Sequence, residues 1–205
     1  MLSRAPWHRV PVAAQWPTLA YRLKLAQKIT VVKNVWDLSR VDGPAPVPVG
    51  RIRQARMKLK ERVICTTPDG TATLFTVHGR NMLEIRGTYE VADAAGNVLA
   101  VITKDFRASL GRSTYVVESS AGTWTVTETN PTLAVLRRIA RRVVHIPWLL
   151  PIQFSILDAG GNSVGCINRV VLRIRDTYDI AVTDDRLDQR VAAAVGVAVD
   201  AFMNR

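Results

Sequence analysis

Nine consecutive residues near the end of the chain, 191–199, carry no charged or hydrogen-bonding side chain. A surface helix has a polar face, so a segment that is apolar on all sides is expected to be buried on all sides. At about 1.5 Å per residue, the run is too short to cross a hydrocarbon core of roughly 30 Å. Its side chains are small, mostly Val and Ala. The pattern therefore predicts a thin buried element. It is interpreted as a core helix over about residues 186–203 with Asp184 or Asp185 as its N-cap, although by alternation residues 195–199 could equally be a strand.

The middle of the chain repeats a hairpin pattern. A glycine follows an apolar or aromatic residue by seven positions four times, at Gly70, Gly96, Gly122 and Gly161. Alternating or β-branched runs flank these glycines, as is typical of strands joined by tight turns. Each unit of roughly 25 residues is therefore predicted to be a β-hairpin. Hairpins that each have one apolar face must close together as a barrel or a sandwich.

The first 50 residues have a different pattern. Apolar residues recur at helical spacing over residues 18–38, which predicts a helix there. Residues 42–50 are rich in Pro and Gly and predict a stiff linker. We therefore expect residues 1–50 to be a leader and residues 51–205 to be the globular domain.

The net charge of +11 at pH 7 is spread unevenly. Residues 1–62 hold 13 Lys and Arg against three Asp and Glu, whereas residues 63–205 hold 15 against 14. A basic surplus favours an acidic partner such as nucleic acid or anionic lipid. Prolines and arginines interrupt the apolar stretches that a secretory signal or a membrane-spanning helix would need. We expect a cytoplasmic protein, with peripheral membrane contact left open.

Two clusters of four cations are the candidate ligand-binding residues. The first lies on a predicted strand, and the second lies on one side of a predicted amphipathic helix. Their members are Arg56, Lys58, Lys60 and Arg62, and Arg137, Arg138, Arg141 and Arg142. The first cluster would otherwise mark a charged edge strand, and the second would be the solvated face of a docked helix. If the two clusters converge on one face, they favour a phosphate-rich ligand.

The sequence does not support catalysis. The patterns Gly-x-Ser-x-Gly and His-Glu-x-x-His are absent, as is a phosphate-binding glycine loop. Cys65 and Cys166 lack metal-ligand spacing and are expected to be buried, reduced thiols. The aspartates between positions 179 and 188 are spaced unlike those of a calcium loop. We therefore predict a protein that is not an enzyme and has no metal or cofactor.

The hairpin repeats and the C-terminal segment together resemble the LURP-one-related family, which shares a superfamily with phospholipid scramblases and the tubby C-terminal domain. The C-terminal residues that carry the resemblance are Arg175-Asp176-Thr177-Tyr178, Asp184-Asp185-Arg186-Leu187 and Val197-Ala198-Val199-Asp200-Ala201. The resemblance covers about residues 51–205. It implies an α+β fold, a closed antiparallel β-barrel of about twelve strands around one central hydrophobic helix. Tubby domains bind phosphoinositides through a cationic patch, so the resemblance also implies an anionic ligand.

The preferred hypothesis is a non-enzymatic module that binds anionic phospholipid headgroups, or a related phosphorylated ligand, at a cationic surface. The alternative is a protein-interaction or regulatory scaffold that uses the helix at residues 18–38 for a partner or for self-association. Two lesser alternatives are scramblase-like activity and nucleic-acid binding. For the last, Trp7, Trp16 and Trp36 would stack on bases.

Overall fold

The computed structural model describes residues 19–28, 34–41, 43–55, 62–79, 87–105, 113–130, 152–170 and 177–203. These residues form twelve β-strands and one α-helix. The strands are β1 (Tyr21–Lys28), β2 (Asn34–Arg40), β3 (Val47–Ala55), β4 (Arg62–Thr66), β5 (Thr73–Gly79), β6 (Thr88–Asp93), β7 (Val98–Lys104), β8 (Thr114–Ser119), β9 (Gly122–Glu128), β10 (Ile152–Leu157), β11 (Ser163–Val170) and β12 (Thr177–Val182). The helix, α1, is Gln189–Met203.

The strands form one closed antiparallel barrel. Each strand pairs with its neighbours in sequence, and β1 pairs with β12 to close the circle. In the closing register, Tyr21 lies opposite Val182 and Lys24 lies opposite Asp179. Every described strand therefore has a partner on both sides, which removes the unpaired edges of an open sheet. The predicted closed barrel around a C-terminal helix is confirmed.

Period-two alternation decides which side chains reach the core. In β1, Tyr21, Leu23 and Leu25 are buried, whereas Arg22 and Lys24 are partly exposed. Successive side chains of a strand point to opposite faces, so one face of β1 lines the interior and the other lies on the outer wall. The barrel wall thus brings apolar side chains to a single interior space.

Helix α1 fills this interior. All nine residues from Val191 to Val199 are buried, and the helix contacts β1 and β12 as well as β5 and β7. A Cβ atom on Gly196 would lie 2.7 Å from Cδ1 of Leu25 and 2.8 Å from Cδ1 of Ile180. The glycine therefore lets the helix lie close to the wall. The predicted core helix is confirmed, with its first residue at Gln189 and with residues 191–199 buried on all sides.

The four predicted turn glycines all connect paired strands. Gly70, Gly96, Gly122 and Gly161 have φ angles of 81°, 90°, 154° and 80°. Glycine adopts positive φ without the steric cost that a Cβ brings. These turns join β4 to β5, β6 to β7, β8 to β9 and β10 to β11. The hairpin prediction is confirmed at each position.

The predicted organisation of the first 50 residues is wrong where the structure describes it. Residues 18–38 do not form a helix, because residues 21–28 and 34–40 are the strands β1 and β2. Hydrogen bonding to β12 and β3 satisfies their backbone, and the alternation of β1 matches a barrel wall. Strand β3 begins inside the predicted linker, so the barrel starts well before residue 51. Residues 1–18 lie outside the described part of the chain.

Candidate functional site

Antiparallel closure sorts the connections between strands to the two ends of the barrel. One end carries residues 41–46, 67–72, 94–97, 120–121, 158–162 and 183–188. By sequence these connections hold six Asp and a single Arg. We call this the acidic end, and α1 begins there.

The strands are joined at the opposite end by connections whose sequence has the opposite charge. These connections are residues 29–33, 56–61, 80–87, 105–113, 129–151 and 171–176. By sequence these connections hold 14 Lys and Arg against four Asp and Glu. Most of them lie outside the described part of the chain, but the described strand ends that they join all lie here. We call this the basic end.

The direction of α1 complements this separation of charge. The helix starts at the acidic end and runs through the barrel toward the basic end for 15 residues, which is about 22 Å. A helix carries partial positive charge at its N-terminus and partial negative charge at its C-terminus. The helix therefore has its positive end beside the aspartates, and its negative end points toward the strand ends that the basic connections join.

Asp184 fixes the acidic end to the barrel wall. Its side chain is only 7% exposed and accepts a 3.0 Å hydrogen bond from Nε1 of Trp124 in β9. Arg186 binds it with two side-chain nitrogens, at 2.9 and 2.8 Å. The Arg186 guanidinium and then the Trp124 indole lower the pKa of Asp184 to about 2, against the raising effect of burial. Asp184 is thus a structural anchor and not the N-cap.

Asp188 is the N-cap of α1. Its Oδ1 accepts a 2.7 Å hydrogen bond from the backbone N–H of Arg190, and its carbonyl accepts one of 2.9 Å from Ala192. The Arg190 side chain also binds this carboxylate at 2.7 Å.

Just before the cap, the buried hydroxyl of Tyr21 donates a 2.6 Å hydrogen bond to the carbonyl of Leu187. Burial, together with Asp188 and Asp184, raises the pKa of Tyr21. The first strand is thereby tied to the start of the helix.

The hairpin aspartates at the acidic end are engaged by their own turns. Asp93 Oδ1 accepts from the backbone N–H groups of Ala95 and Asn97, and Asp158 Oδ1 accepts in the same way from Asn162. The asparagine side chains lower the pKa of both carboxyls, and the turn N–H groups add to this. Among the described residues, no group of three His, Cys, Asp or Glu has the geometry of a metal site.

A pocket of about 430 Å³ opens beside the start of α1. It is lined by Ala20, Tyr21, Asp185, Leu187, Asp188, Gln189 and Arg190. The polar atoms that matter most there already serve the fold, because Tyr21 binds Leu187 and Asp188 binds Arg190. Of the polar lining side chains, Asp185 and Gln189 are not engaged in this way, and one carboxylate with one amide does not define a chemistry.

The outer wall of strands β1 to β4 carries a cationic surface. It consists of Arg22, Lys24, Lys28, Arg51, Arg53 and Arg62. Asp37 is the single carboxylate that the described part of these four strands contributes. We call these six cations the cationic wall. Three of them, Lys28, Arg53 and Arg62, lie in the halves of their strands nearest the basic end.

Ion pairing divides the cationic wall. Asp37 binds Lys28 at 2.8 Å and Arg51 at 3.2 Å. Partial burial raises the pKa of Asp37, but the hydrogen bonds from Lys28 and Arg51 outweigh this and hold it below its usual value. In the described part of the chain, neither Arg53 nor Arg62 has an ion-pair partner. Arg22 is bound by Asp179 at 3.8 Å, so Arg53 and Arg62 are the two arginines of the wall without an ion pair among the described residues, and both are exposed.

The structure locates one of the eight predicted ligand-binding residues. Arg62 is the exposed first residue of β4, which pairs with both β3 and β5. The alternative that it belongs to an edge strand is therefore wrong. The other seven, Arg56, Lys58, Lys60, Arg137, Arg138, Arg141 and Arg142, lie outside the described residues, as does the predicted helix that follows Asn130. Both clusters nevertheless belong to connections between strands that end at the basic end.

Two further predictions concern buried groups. Cys65 and Cys166 are both buried and neither is in a disulfide, as expected, and burial raises the pKa of Cys65 to about 12. Trp36 is fully buried inside the barrel. Its indole therefore cannot stack on a nucleic-acid base, which removes the one described tryptophan from that alternative. Trp7 and Trp16 lie outside the described residues.

Sequence reasoning missed the groups that hold the acidic end together. Trp124 and Asp184 are 60 positions apart, and Tyr21 and Leu187 are 166 positions apart. Their contacts arise only when the barrel closes around α1, so spacing along the chain carries no trace of them. The one available signal was the alternation in β1, which places Tyr21 on the same face as Leu23 and Leu25.

A twelve-stranded antiparallel barrel closed around a hydrophobic C-terminal helix is the architecture that the resemblance implied, that of a tubby-like module. The sequence profile of the family described as LURP-one-related (LOR) matches residues 50–200. Because the match spans most of the chain, the protein belongs to the LURP-one-related family. None of the curated proteins compared with the chain matches it. Strands β1 and β2, which close the barrel, precede the matched region.

In the described part of the chain, no helix is both long enough and apolar enough to span a membrane. Within helix α1, residues 191–199 are buried inside the barrel.

Proposed function

We propose that this LURP-one-related protein is a non-enzymatic module that binds anionic phospholipid headgroups through its basic end and the adjoining cationic wall. The observation that carries the proposal is the separation of charge between the two ends of the barrel. The connections at the basic end hold 14 Lys and Arg against four acidic residues, and those at the acidic end hold six Asp against one Arg.

The energies are of the size that a peripheral protein needs. A basic residue close to an anionic membrane contributes about 1 kcal/mol, and the contribution falls off within a Debye length of about 8 Å at physiological salt. Several cations on one surface therefore add to a useful affinity, whereas cations scattered around a barrel do not. The aspartates at the other end would be repelled by the same membrane, so binding would orient the barrel.

The eight predicted residues fit this proposal through the chain's topology. Three residues of the first cluster belong to the connection between β3 and β4, and its fourth, Arg62, begins β4; the second cluster belongs to the connection between β9 and β10. Both connections start and finish at the basic end. The proposal adds Arg53, which extends the cationic surface along the wall.

Vesicle sedimentation tests the proposal. Vesicles of phosphatidylcholine alone are compared with vesicles that also contain phosphatidylserine, at low and at physiological salt. We expect binding to the anionic vesicles only, with a loss of affinity as salt rises. Replacing Arg137, Arg138, Arg141 and Arg142 with Gln should abolish most of the binding, and Arg137→Gln alone should weaken it. Arg186→Gln, which removes one exposed cation at the acidic end, is the matched control for that single substitution and should retain binding.

Equal binding to both kinds of vesicle at low salt would refute the proposal. An equal loss from Arg186→Gln would show that net charge, and not the basic end, is responsible. The scaffold alternative assigned partner binding to a helix at residues 18–38. Because β1 and β2 occupy this region, the corresponding surface for a partner is the outer face of these two strands. Vesicle binding that fails while self-association persists would favour that alternative.

A further inference from the structure

Two arginines on neighbouring strands share one patch of the outer wall. In the register of β3 and β4, Arg53 lies opposite Ile64 and Arg62 lies two residues before Ile64 on the same face. Arg53 and Arg62 are therefore diagonal neighbours, and both are exposed. Diagonal residues on one face of an antiparallel pair lie about 7–8 Å apart, within the reach of long side chains. Both guanidiniums can consequently approach one small anion.

The local environment leaves these guanidiniums available. The residues directly opposite Arg53 on its two sides are Val35 and Ile64, neither of which carries charge. The adjacent Arg51 differs, because its side chain is bound by Asp37 at 3.2 Å. The fold therefore neutralises one arginine of β3 and leaves the next one on the same face unpaired.

We propose that Arg53 and Arg62 form a subsite for a phosphate group. A guanidinium presents parallel N–H donors that match two phosphate oxygens, and two guanidiniums can bind one tetrahedral phosphate from two sides. His78 lies directly opposite Arg62 on β5 and supplies a polar neighbour. Glu90, opposite His78, bounds the patch on the far side. The ligand is a phosphate monoester or diester, from a lipid headgroup or from a soluble phosphorylated compound.

The subsite also predicts how phosphate affects folding. Two unpaired like charges that lie side by side repel each other and cost stability. A phosphate that binds between them stabilises only the folded chain, because the unfolded chain does not hold the arginines together. Inorganic phosphate should therefore raise the Tm of the wild-type protein relative to chloride at equal ionic strength. The rise should be smaller in Arg53→Gln and in Arg62→Gln.

Backbone NMR locates the site and measures its affinity. With inorganic phosphate as the probe and chloride holding the ionic strength constant, we expect saturable shifts centred on Ile64 and Val35. Arg53→Gln and Arg62→Gln should each weaken phosphate binding about 3- to 10-fold. Arg51→Gln, on the same strand and face, is the matched control and should change it less than about 2-fold. Shifts that do not saturate, or an equal effect of Arg51→Gln, would overturn the subsite.

The source of the phosphate is settled by adding anionic vesicles to the same variants. This arm rests on the proposed function. A loss of both phosphate and vesicle binding in Arg53→Gln and Arg62→Gln supports the subsite with a lipid as ligand. A loss of phosphate binding alone supports it with a soluble ligand. Vesicle binding by the wild type without phosphate binding refutes the subsite and leaves the proposed function standing, and the absence of both refutes both.

Discussion

The indole N–H of Trp124 donates a 3.0 Å hydrogen bond to Oδ2 of Asp184, which follows it by 60 residues. Trp124 lies in β9, on the wall of the barrel, and Asp184 lies in the segment that leads from β12 into α1. The bond therefore fixes the start of the central helix to a strand on the wall. A second bond, from Tyr21 to the carbonyl of Leu187, fixes the same segment to β1.

Trp124→Phe is expected to destabilise the protein more than Trp36→Phe. Both tryptophans are buried in the core, so each substitution removes a similar volume. Trp124 loses a hydrogen bond to a charged acceptor, whereas the indole nitrogen of Trp36 has no acceptor among the described residues. We expect the free energy of unfolding to fall by at least about 1 kcal/mol more for Trp124→Phe.

Chemical denaturation of the two variants measures this difference. The m-value should be unchanged, which would show that both variants unfold from equally compact structures. If Trp36→Phe were the more damaging substitution, the bond between Trp124 and Asp184 would not be the stabilising contact that we describe.

Asp184→Asn is expected to be more costly than Asp185→Asn. The Asp184 carboxylate is almost buried and binds both Trp124 and the two donors of Arg186. Its exposed neighbour Asp185 offers a matched control with the same change of charge. We expect Asp184→Asn to lower the free energy of unfolding by about 1–3 kcal/mol and Asp185→Asn by less than about 0.5 kcal/mol. Equal effects in thermal and chemical denaturation would contradict the assignment of Asp184 as the anchor.

The same carboxylate should make stability depend on pH in the acid range. The Arg186 and Trp124 donors lower the pKa of Asp184 from 3.8 to about 2 in the folded protein. A depressed folded-state pKa contributes stability above the unfolded-state value and loses it as the pH falls toward the folded-state value. The stability gap between the wild type and Asp184→Asn should therefore narrow as the pH falls from about 5 to about 2.

Unfolding curves across this pH range provide the measurement. Trp36→Phe changes no ionisable group, so its gap from the wild type should stay constant and serves as the control. A gap for Asp184→Asn that is equally independent of pH would show that the carboxylate is not held ionised by these donors.

The sequence predicted the hairpin turns and the burial of the C-terminal run because both depend on local patterns. The run from Val191 to Val199 is apolar on every side, which indicates burial, whereas the choice of a helix over a strand for its second half rested on the family resemblance. Turn glycines such as Gly96 and Gly161 stand at a fixed spacing, and their positive φ angles explain why glycine is needed there. These features are visible without knowledge of any distant contact.

The strands β1 and β2 were missed because their pattern is ambiguous over a short length. Leu19, Leu23 and Ala26 fit a helical face, whereas Tyr21, Leu23 and Leu25 fit a strand. Pairing with β12, about 160 residues away, makes this segment a strand and not a helix. A pattern within the segment itself does not reveal that partner.

The cap of α1 was misplaced for a similar reason. Three aspartates stand close together, and the two that were proposed as caps, Asp184 and Asp185, precede Asp188. The carboxylate of Asp184 accepts hydrogen bonds from Trp124 and Arg186. The carboxylate of Asp188 accepts the backbone N–H of Arg190 in the first turn of the helix. The choice among equivalent residues depended on a tertiary contact that spacing does not reveal.

Gly165→Ala tests how closely neighbouring strands approach near the acidic end. Gly165 lies in β11 opposite Val182 of β12, and a Cβ atom at this position would lie 2.6 Å from the backbone oxygen of Ala181. Because the obstructing atom belongs to the backbone, relief requires a shift of β11 against β12. We expect the free energy of unfolding to fall by about 1–3 kcal/mol, as for other overpacked cores.

Gly43→Ala is the control, since no atom lies within 4 Å of the added methyl group in the connection between β2 and β3. It should leave stability within about 0.5 kcal/mol of the wild type. Because β12 leads directly into the segment anchored by Asp184, a shift at Gly165 should also lengthen the bond from Trp124 to Asp184. The indole N–H resonance of Trp124 should then exchange with solvent faster in Gly165→Ala than in Gly43→Ala. Equal exchange in the two variants would show that the β11–β12 spacing and the helix anchor are independent.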